Sequence, residues 1–254
     1  MRDWFYNVAM EIQKLPILGF EAPVVEIKTE TPTTKTLVFD TAGLDFNFYP
    51  GQYVMLEVPY PPTGEVLKRA YSIASPPTKK NTLELTIKRV PNGRASAFLT
   101  QEVKVGDRFK IKGPYGKFIW LPEMSKNIVL IGAGSGIVPL MCMLRYIRDA
   151  GLYDVFATLL YSNTHYDEII YREELEDLDK HHNIKVVHTL TREVPESWKG
   201  YTGRINEDMI KREVEDLSEN LYYLCGPPAF VDDMSAILES LGVDKNRIKK
   251  EKYD

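Results

Sequence analysis

Val129-Leu130-Ile131-Gly132-Ala133-Gly134-Ser135-Gly136-Ile137-Val138-Pro139-Leu140 reads as a buried strand that passes through a glycine turn into a helix. Glycines at such a junction let an anion approach the backbone N–H groups of the helix N-terminus, where the peptide dipoles also favour negative charge. A dinucleotide fits there; so does a purely structural strand–helix packing turn. The usual dinucleotide fingerprint wants glycine three residues beyond Gly134, where Ile137 stands, and a carboxylate ending the next strand, which instead closes on Tyr161-Ser162-Asn163. No phosphate-loop lysine follows the glycines.

Downstream of this stretch, apolar strands alternate with amphipathic helices. Strands are expected over 128–131, 155–161, 185–190 and 221–224, with helices near 138–149, 167–179, 207–217 and 229–241. That alternation means a parallel sheet covered on both faces. In such a sheet ligands bind beyond the carboxyl ends of the strands, so Thr191-Arg192 and Cys225-Gly226-Pro227-Pro228 share a rim with the glycine turn. Arg192 and Arg204 are candidates to hold an extra ribose phosphate, or are two solvated arginines. Cys225 either faces that cleft or is a small buried apolar group.

Upstream the texture is different. Short runs over 24–28, 36–40, 53–58, 70–74, 83–89 and 108–112, punctuated by Pro, Gly and Asn, predict an antiparallel barrel or sandwich. Within it, Arg69-Ala70-Tyr71-Ser72 sets a guanidinium, a phenol ring and a hydroxyl on neighbouring strand positions. A guanidinium suits phosphate, the ring can stack on a flat heterocycle, and the hydroxyl can donate to a ring nitrogen. Asn92-Gly93 leads into a helix expected over 95–103 with Ser96 in its first turn, a second place for a phosphate. A short amphipathic helix is expected over 3–15. The domain reading is therefore an N-terminal helical extension over 1–21, a β-barrel over 22–122 and an α/β domain over 123–254.

Composition narrows the class. A net charge of −4 argues against a dedicated nucleic-acid binder. No apolar run is long enough to cross a bilayer and no secretory leader is visible, so a cytoplasmic protein is expected. Two cysteines, Cys142 and Cys225, are too few for a cysteine-ligated iron–sulfur cluster, and the four histidines lack zinc-ligand spacing, so no metal site is expected.

Taken in order, Arg69-Ala70-Tyr71-Ser72, Gly93 to Ser96, Gly113-Pro114-Tyr115-Gly116, Gly134 to Pro139 and Cys225-Gly226-Pro227-Pro228 resemble the ferredoxin–NADP reductase family, flavoproteins that pair a flavin-binding barrel with a nucleotide-binding α/β domain. The resemblance covers about residues 22 to 253 and implies FAD and NADP(H), with NAD(H) as the other option. By it, Arg69 looks like the flavin-phosphate arginine, Tyr71, beside Ala70, the ring that stacks on the flavin, and Ser72 the hydroxyl near flavin N5. Lys88, Gly93, Arg94, Ala95 and Ser96 resemble the segment binding the second phosphate of FAD. Lys117 is similar to a lysine that approaches the nicotinamide nucleotide. Gly132, Gly134, Gly136, Ile137 and Pro139 look like the pyrophosphate turn. Thr191, Arg192 and Arg204 are cofactor-binding candidates from residue type and rim position. Cys225, Gly226 and Pro227 resemble the part that meets the nicotinamide, and Glu251 and Tyr253 a C-terminal acid and aromatic near the flavin. Ser72, Cys225 and Glu251 are then the catalytic candidates.

The function so implied is an NAD(P)H oxidoreductase that passes hydride to flavin and electrons to a separate carrier protein, ferredoxin or flavodoxin, or to an oxygenase component. The basic run Lys79, Lys80, Lys88, Arg89 and Arg94 is a candidate docking face for an acidic carrier, or a solvated strand face. A free-flavin or ferric reductase, and a flavin-bearing subunit of a larger redox complex docked by its N-terminus, are the rival readings.

Overall fold

The computed structural model describes residues 12–60 and 62–253. The helix expected over 3–15 lies outside the described residues as far as residue 11, and residues 12–17 have no regular secondary structure.

The first half forms a six-stranded antiparallel sheet: β1 (Leu18–Thr31), β2 (Thr34–Asp40), β3 (Tyr53–Tyr60), β4 (Glu65–Ser72), β5 (Thr82–Lys88) and β6 (Arg108–Tyr115), in the order β4-β3-β6-β1-β2-β5. It curls, so that its two end strands meet at an isolated Ile73–Leu85 bridge. One helix interrupts it, α1 (Arg94–Gln101). The expected antiparallel barrel architecture is borne out, with one correction. β1 begins at Leu18, well before the expected Val24, because its first half pairs with β6 and its second half with β2. Strand character there comes from two successive partners, a long-range cause that local patterning does not carry.

The second half is a parallel sheet of β7 (Asn127–Ala133), β8 (Phe156–Asn163), β9 (Ile184–Leu190), β10 (Tyr201–Thr202), β11 (Leu221–Gly226) and β12 (Ile248–Lys252), in the order β10-β9-β8-β7-β11-β12. Helices α2 (Ile137–Asp149) and α3 (Arg172–Leu178) supply the core on one face. Helices α4 (Glu207–Glu213) and α5 (Pro228–Ser240) supply it on the other. This is the expected doubly covered parallel sheet. Strand order reverses between β7 and β11, which opens a crevice beyond their carboxyl ends. The helix expected over 167–179 is shorter than the pattern suggested, because Tyr171 takes a left-handed conformation (φ 60°) and α3 starts only after it.

Helix α2 packs on both halves. Its Met141, Met143 and Leu144 join the cluster of β7, Trp120 and Phe118, while Cys142 lies in the cluster of the first sheet. Direct bonds cross as well: Cys142 Sγ to the Ser75 carbonyl (3.1 Å) and the Tyr223 hydroxyl to the Ile119 carbonyl (2.7 Å).

Candidate functional site

Two cavities meet along the seam. The first, of about 600 Å³, is walled by Tyr53, Arg69 to Ser72 of β4, Thr86, Lys88, Asn92 to Ser96 at the start of α1, Ser135, Val138 and the C-terminal Glu251 to Tyr253. The second, of about 880 Å³, is walled by Ala133 to Ser135, Ser162 to Thr164, Thr191, Arg204, Pro227 to Phe230 and Asp233. Lys88, Val90, Ser135 and Tyr253 belong to both walls.

Charge in the first cavity is unevenly committed. Of its cations, Lys88 pairs with Glu168 (2.9 Å), Arg94 with Glu65 (2.6 Å) and Lys252 with Asp232 (2.7 Å). Arg69 has no acidic partner among the described residues; one guanidinium nitrogen donates to the Lys68 carbonyl (2.8 Å). Among the described residues no side chain caps the N-terminus of α1, so its first-turn amides have no side-chain acceptor from them in the same wall. Ser96 is turned to its own loop, accepting from the Val90 N–H (3.2 Å) and donating to the Gly93 carbonyl (3.3 Å). A Cβ on Gly93 would come within 2.4 Å of both Ser96 Oγ and a Val90 methyl, so a larger residue would have to turn Ser96 and Val90 aside. Burial pushes the Tyr71 phenol up to about 12, with the Arg69 charge partly offsetting it, which keeps the ring neutral.

The C-terminal strand closes the site. β12 pairs with β11 through Cys225–Glu251 and Gly226–Lys252, and the Tyr253 N–H then bonds the Gly226 carbonyl (3.0 Å). This brings Glu251 and Tyr253 to Ser72 from the far end of the chain: Ser72 Oγ donates to Glu251 Oε1 (3.3 Å) and shares a hydrogen bond with the Tyr253 hydroxyl. Cys225 is fully buried and packs with Tyr253, so its side chain meets the tyrosine rather than open cleft. Burial, reinforced by the nearby Glu251 charge, raises its thiol well above the ordinary value. Burial also pushes the Glu251 carboxyl from 4.5 to about 7, against the opposing hydrogen bonds from Ser72 and Tyr253.

That shift has a sign. A raised carboxyl pKa means the folded chain holds a proton the unfolded chain releases, so the stability it confers is full below about pH 4.5 and lost as pH rises through about 7. Glu251→Gln should therefore match wild-type melting at pH 4.5 and exceed it progressively up to pH 7, with a constant gap above. Melting temperatures of the two proteins across that range check it; parallel curves would mean Glu251 titrates normally.

Other candidates sit elsewhere. Gly132, Gly136, Ile137 and Pro139 are buried behind the turn. Gly136 faces β11: a Cβ there would lie 2.1 Å from the Cys225 carbonyl oxygen. Gly134 has room but a left-handed φ of 53°, and its carbonyl accepts from the Tyr161 hydroxyl (2.9 Å). Lys117 and Arg192 are exposed and line neither cavity, whereas Arg204 lines the second. Within the basic run, Lys79 pairs with Glu84 (2.7 Å), beside the Lys88 and Arg94 pairs. Asn163 was noted in the sequence only as the place where a carboxylate is missing. It is buried in the wall of the second cavity, and neither amide atom has a hydrogen-bond partner among the described residues.

The curled sheet and the switch-point crevice, joined along one seam, define a two-cofactor oxidoreductase module. The oxidoreductase FAD-binding domain matches residues 21–120 and the oxidoreductase NAD-binding domain residues 130–236. The glycine betaine monooxygenase reductase subunit of Pseudomonas aeruginosa is 30% identical over 232 residues, 90% of this chain and 63% of that protein. NADH-cytochrome b5 reductase 1 of Aspergillus oryzae is 30% identical over 203 residues, 78% of this chain and 69% of that protein. The FAD/NAD-binding domain of nitric oxide dioxygenase from Vibrio cholerae superposes with a TM-score of 0.83 at 25% identity, covering 92% of this chain and 98% of that one. The chain belongs to the ferredoxin–NADP reductase family of flavin- and nicotinamide-nucleotide-binding oxidoreductases. It spans less than two thirds of the length of the monooxygenase reductase subunit it matches. Among the described residues no helix is long and apolar enough to cross a membrane.

Proposed function

We propose that the chain is a cytoplasmic NAD(P)H reductase, holding FAD in the first cavity and the nicotinamide nucleotide in the second, and delivering electrons to a separate oxygenase component or carrier protein. The observation that carries this is the shared wall: Tyr253 and Ser135 stand between a cavity with one uncommitted guanidinium and a cavity at the switch point. The first cavity fits a phosphorylated flavin, because Arg69 and the uncapped α1 amides supply anion donors while the neutral Tyr71 ring offers a flat face. A bound flavin would supply hydride-accepting and electron-donating chemistry that no side chain here can.

The chain's own groups hold and orient. Arg69 and α1 fix the phosphates, Tyr71 the ring, and Ser72 Oγ a donor beside it. Glu251, its carboxyl pushed to about 7, holds a proton up to neutrality beside the Ser72 hydroxyl that donates to its Oε1. Tyr253 covers Cys225 and keeps water from the seam. The second cavity carries Arg204 but not Arg192, so a single arginine is placed to favour a 2′-phosphate, and we assign use of both nucleotides with a modest NADPH preference. An oxygenase or haem-protein acceptor is supported by the names of the relatives.

Anaerobic stopped-flow mixing of the flavin-loaded protein with NADPH and with NADH tests this reading. Loss of flavin absorbance with both is the expected result, and the rate ratio assigns the nucleotide. Flavin that stays oxidised with both would overturn the reductase assignment.

A further inference from the structure

Arg145, in the middle of α2, is 7% exposed and every hydrogen-bonding edge of its guanidinium is used. Nε and Nη2 clasp the two oxygens of Glu174 on α3 (3.0 and 2.5 Å), while Nη1 bonds the Ala74 carbonyl (2.9 Å) and Glu84 Oε2 on β5 (3.1 Å). The guanidinium lies over the ring of Tyr171, 4.7 Å from its centre, and the Tyr171 hydroxyl bonds Thr86 of β5. Glu84 also receives Lys28 (3.1 Å) and Lys79 (2.7 Å), and its N–H bonds Ser75 Oγ (3.0 Å). One turn earlier on the same face of α2, Cys142 Sγ donates to the Ser75 carbonyl (3.1 Å).

These contacts join two lever arms. Ala74 and Ser75 follow Tyr71-Ser72 with only Ile73 between, and α2 directly follows the glycine turn, with Val138 in the wall of the first cavity. Val138 and Arg145 are about 10 Å apart along the helix axis. A tilt of roughly 5° about the mooring would thus shift the cleft end by about 1 Å, a displacement that costs up to about 100-fold in a reaction between two positioned groups. A buried ion cluster is weak evidence for stability, since apolar residues of the same volume often serve as well. What the rigid, bidentate fork adds is direction.

We propose that Arg145 is a positioning residue for hydride transfer: by mooring α2 to the Ala74–Ser75 bend and to Glu84, it fixes the spacing between the two cofactor cavities. The inference rests on the reductase reading above.

Two variants test it in the flavin-loaded protein: Arg145→Lys, which keeps the charge and loses the fork, and Arg145→Met combined with Glu84→Gln and Glu174→Gln, which leaves no buried charge unpaired. Flavin content, nucleotide KM and the limiting rate of flavin reduction are measured. A second readout needs no turnover: the distance distribution between spin labels at Lys104→Cys and Glu176→Cys, the native cysteines being buried. The limiting rate should fall roughly 10- to 100-fold with KM and flavin content nearly unchanged, and the distribution should broaden. A wild-type rate with an unchanged distribution in Arg145→Lys would overturn the proposal even if the triple variant failed to fold. If the wild type itself is not reduced by either nucleotide, the reductase reading fails, and the spin-label distance alone decides the mooring: a broader distribution in the variant upholds it and an unchanged one overturns it.

Discussion

Gly136→Ala is expected to lower the melting temperature by roughly 6–12 °C and to abolish nucleotide binding while leaving the flavin in place. The added Cβ would fall 2.1 Å from the Cys225 carbonyl oxygen, 2.5 Å from its carbon and 2.8 Å from the Gly226 nitrogen, all backbone atoms. β11 cannot retreat, because Cys225 is held in register with Gly132 of β7 on one side and Glu251 of β12 on the other. Relief must come from the glycine turn, displacing the start of α2. Overpacking against backbone costs about 3 kcal/mol at the upper end of its usual range, and in a chain of this size each kcal/mol is worth about 2–4 °C. Gly134→Ala is the control. It meets nothing within 4 Å and bears only the cost of its φ of 53°, about 1–2 kcal/mol. Thermal melts with and without NADPH check both. A Gly136→Ala protein that kept its wild-type melting temperature would show that β11 yields.

The pair also explains what was legible from sequence. A strand, three closely spaced glycines and a helix announce themselves locally, since each needs only near neighbours in the chain. Why Gly136 must be glycine depends on Cys225, far along the chain, and no local pattern carries that. β12 was hidden for a similar reason: Ile248-Lys249-Lys250-Glu251-Lys252 has neither apolar continuity nor clean alternation, and it is a strand because β11 offers an open edge. Glu251 and Tyr253 could therefore be placed near the flavin only by family resemblance. Arg192 and Lys117 mark the opposite limit. Residue type and rim position suggested a phosphate contact for Arg192, and family resemblance a nucleotide contact for Lys117, but exposure and side-chain direction follow from loop packing, which puts both outside the cavity walls.

The same distinction between residue type and commitment governs the flavin site, where Arg69→Ala should yield protein that purifies nearly colourless. A cavity wall with Arg69, Lys88, Arg94 and Lys252 looks redundant in charge. It is not, because three of those cations already hold a carboxylate, and releasing one to meet a phosphate means breaking a pair at 2.6–2.9 Å. Arg69 alone brings its charge to a ligand without that cost. Hydrogen bonds to a charged group contribute about 1.5–3 kcal/mol each, so losing one or two should weaken flavin binding by at least about tenfold and up to about 20,000-fold. Arg69→Lys keeps the charge but loses the planar fork, and should fall between. Arg94→Ala frees Glu65 at the exposed rim and should cost far less. Flavin titrations followed by quenching of its fluorescence, at low and high salt, give the three constants. Equal losses at Arg69 and Arg94 would mean the ion pairs open freely when the ligand arrives, and the uncommitted guanidinium would no longer mark the phosphate site.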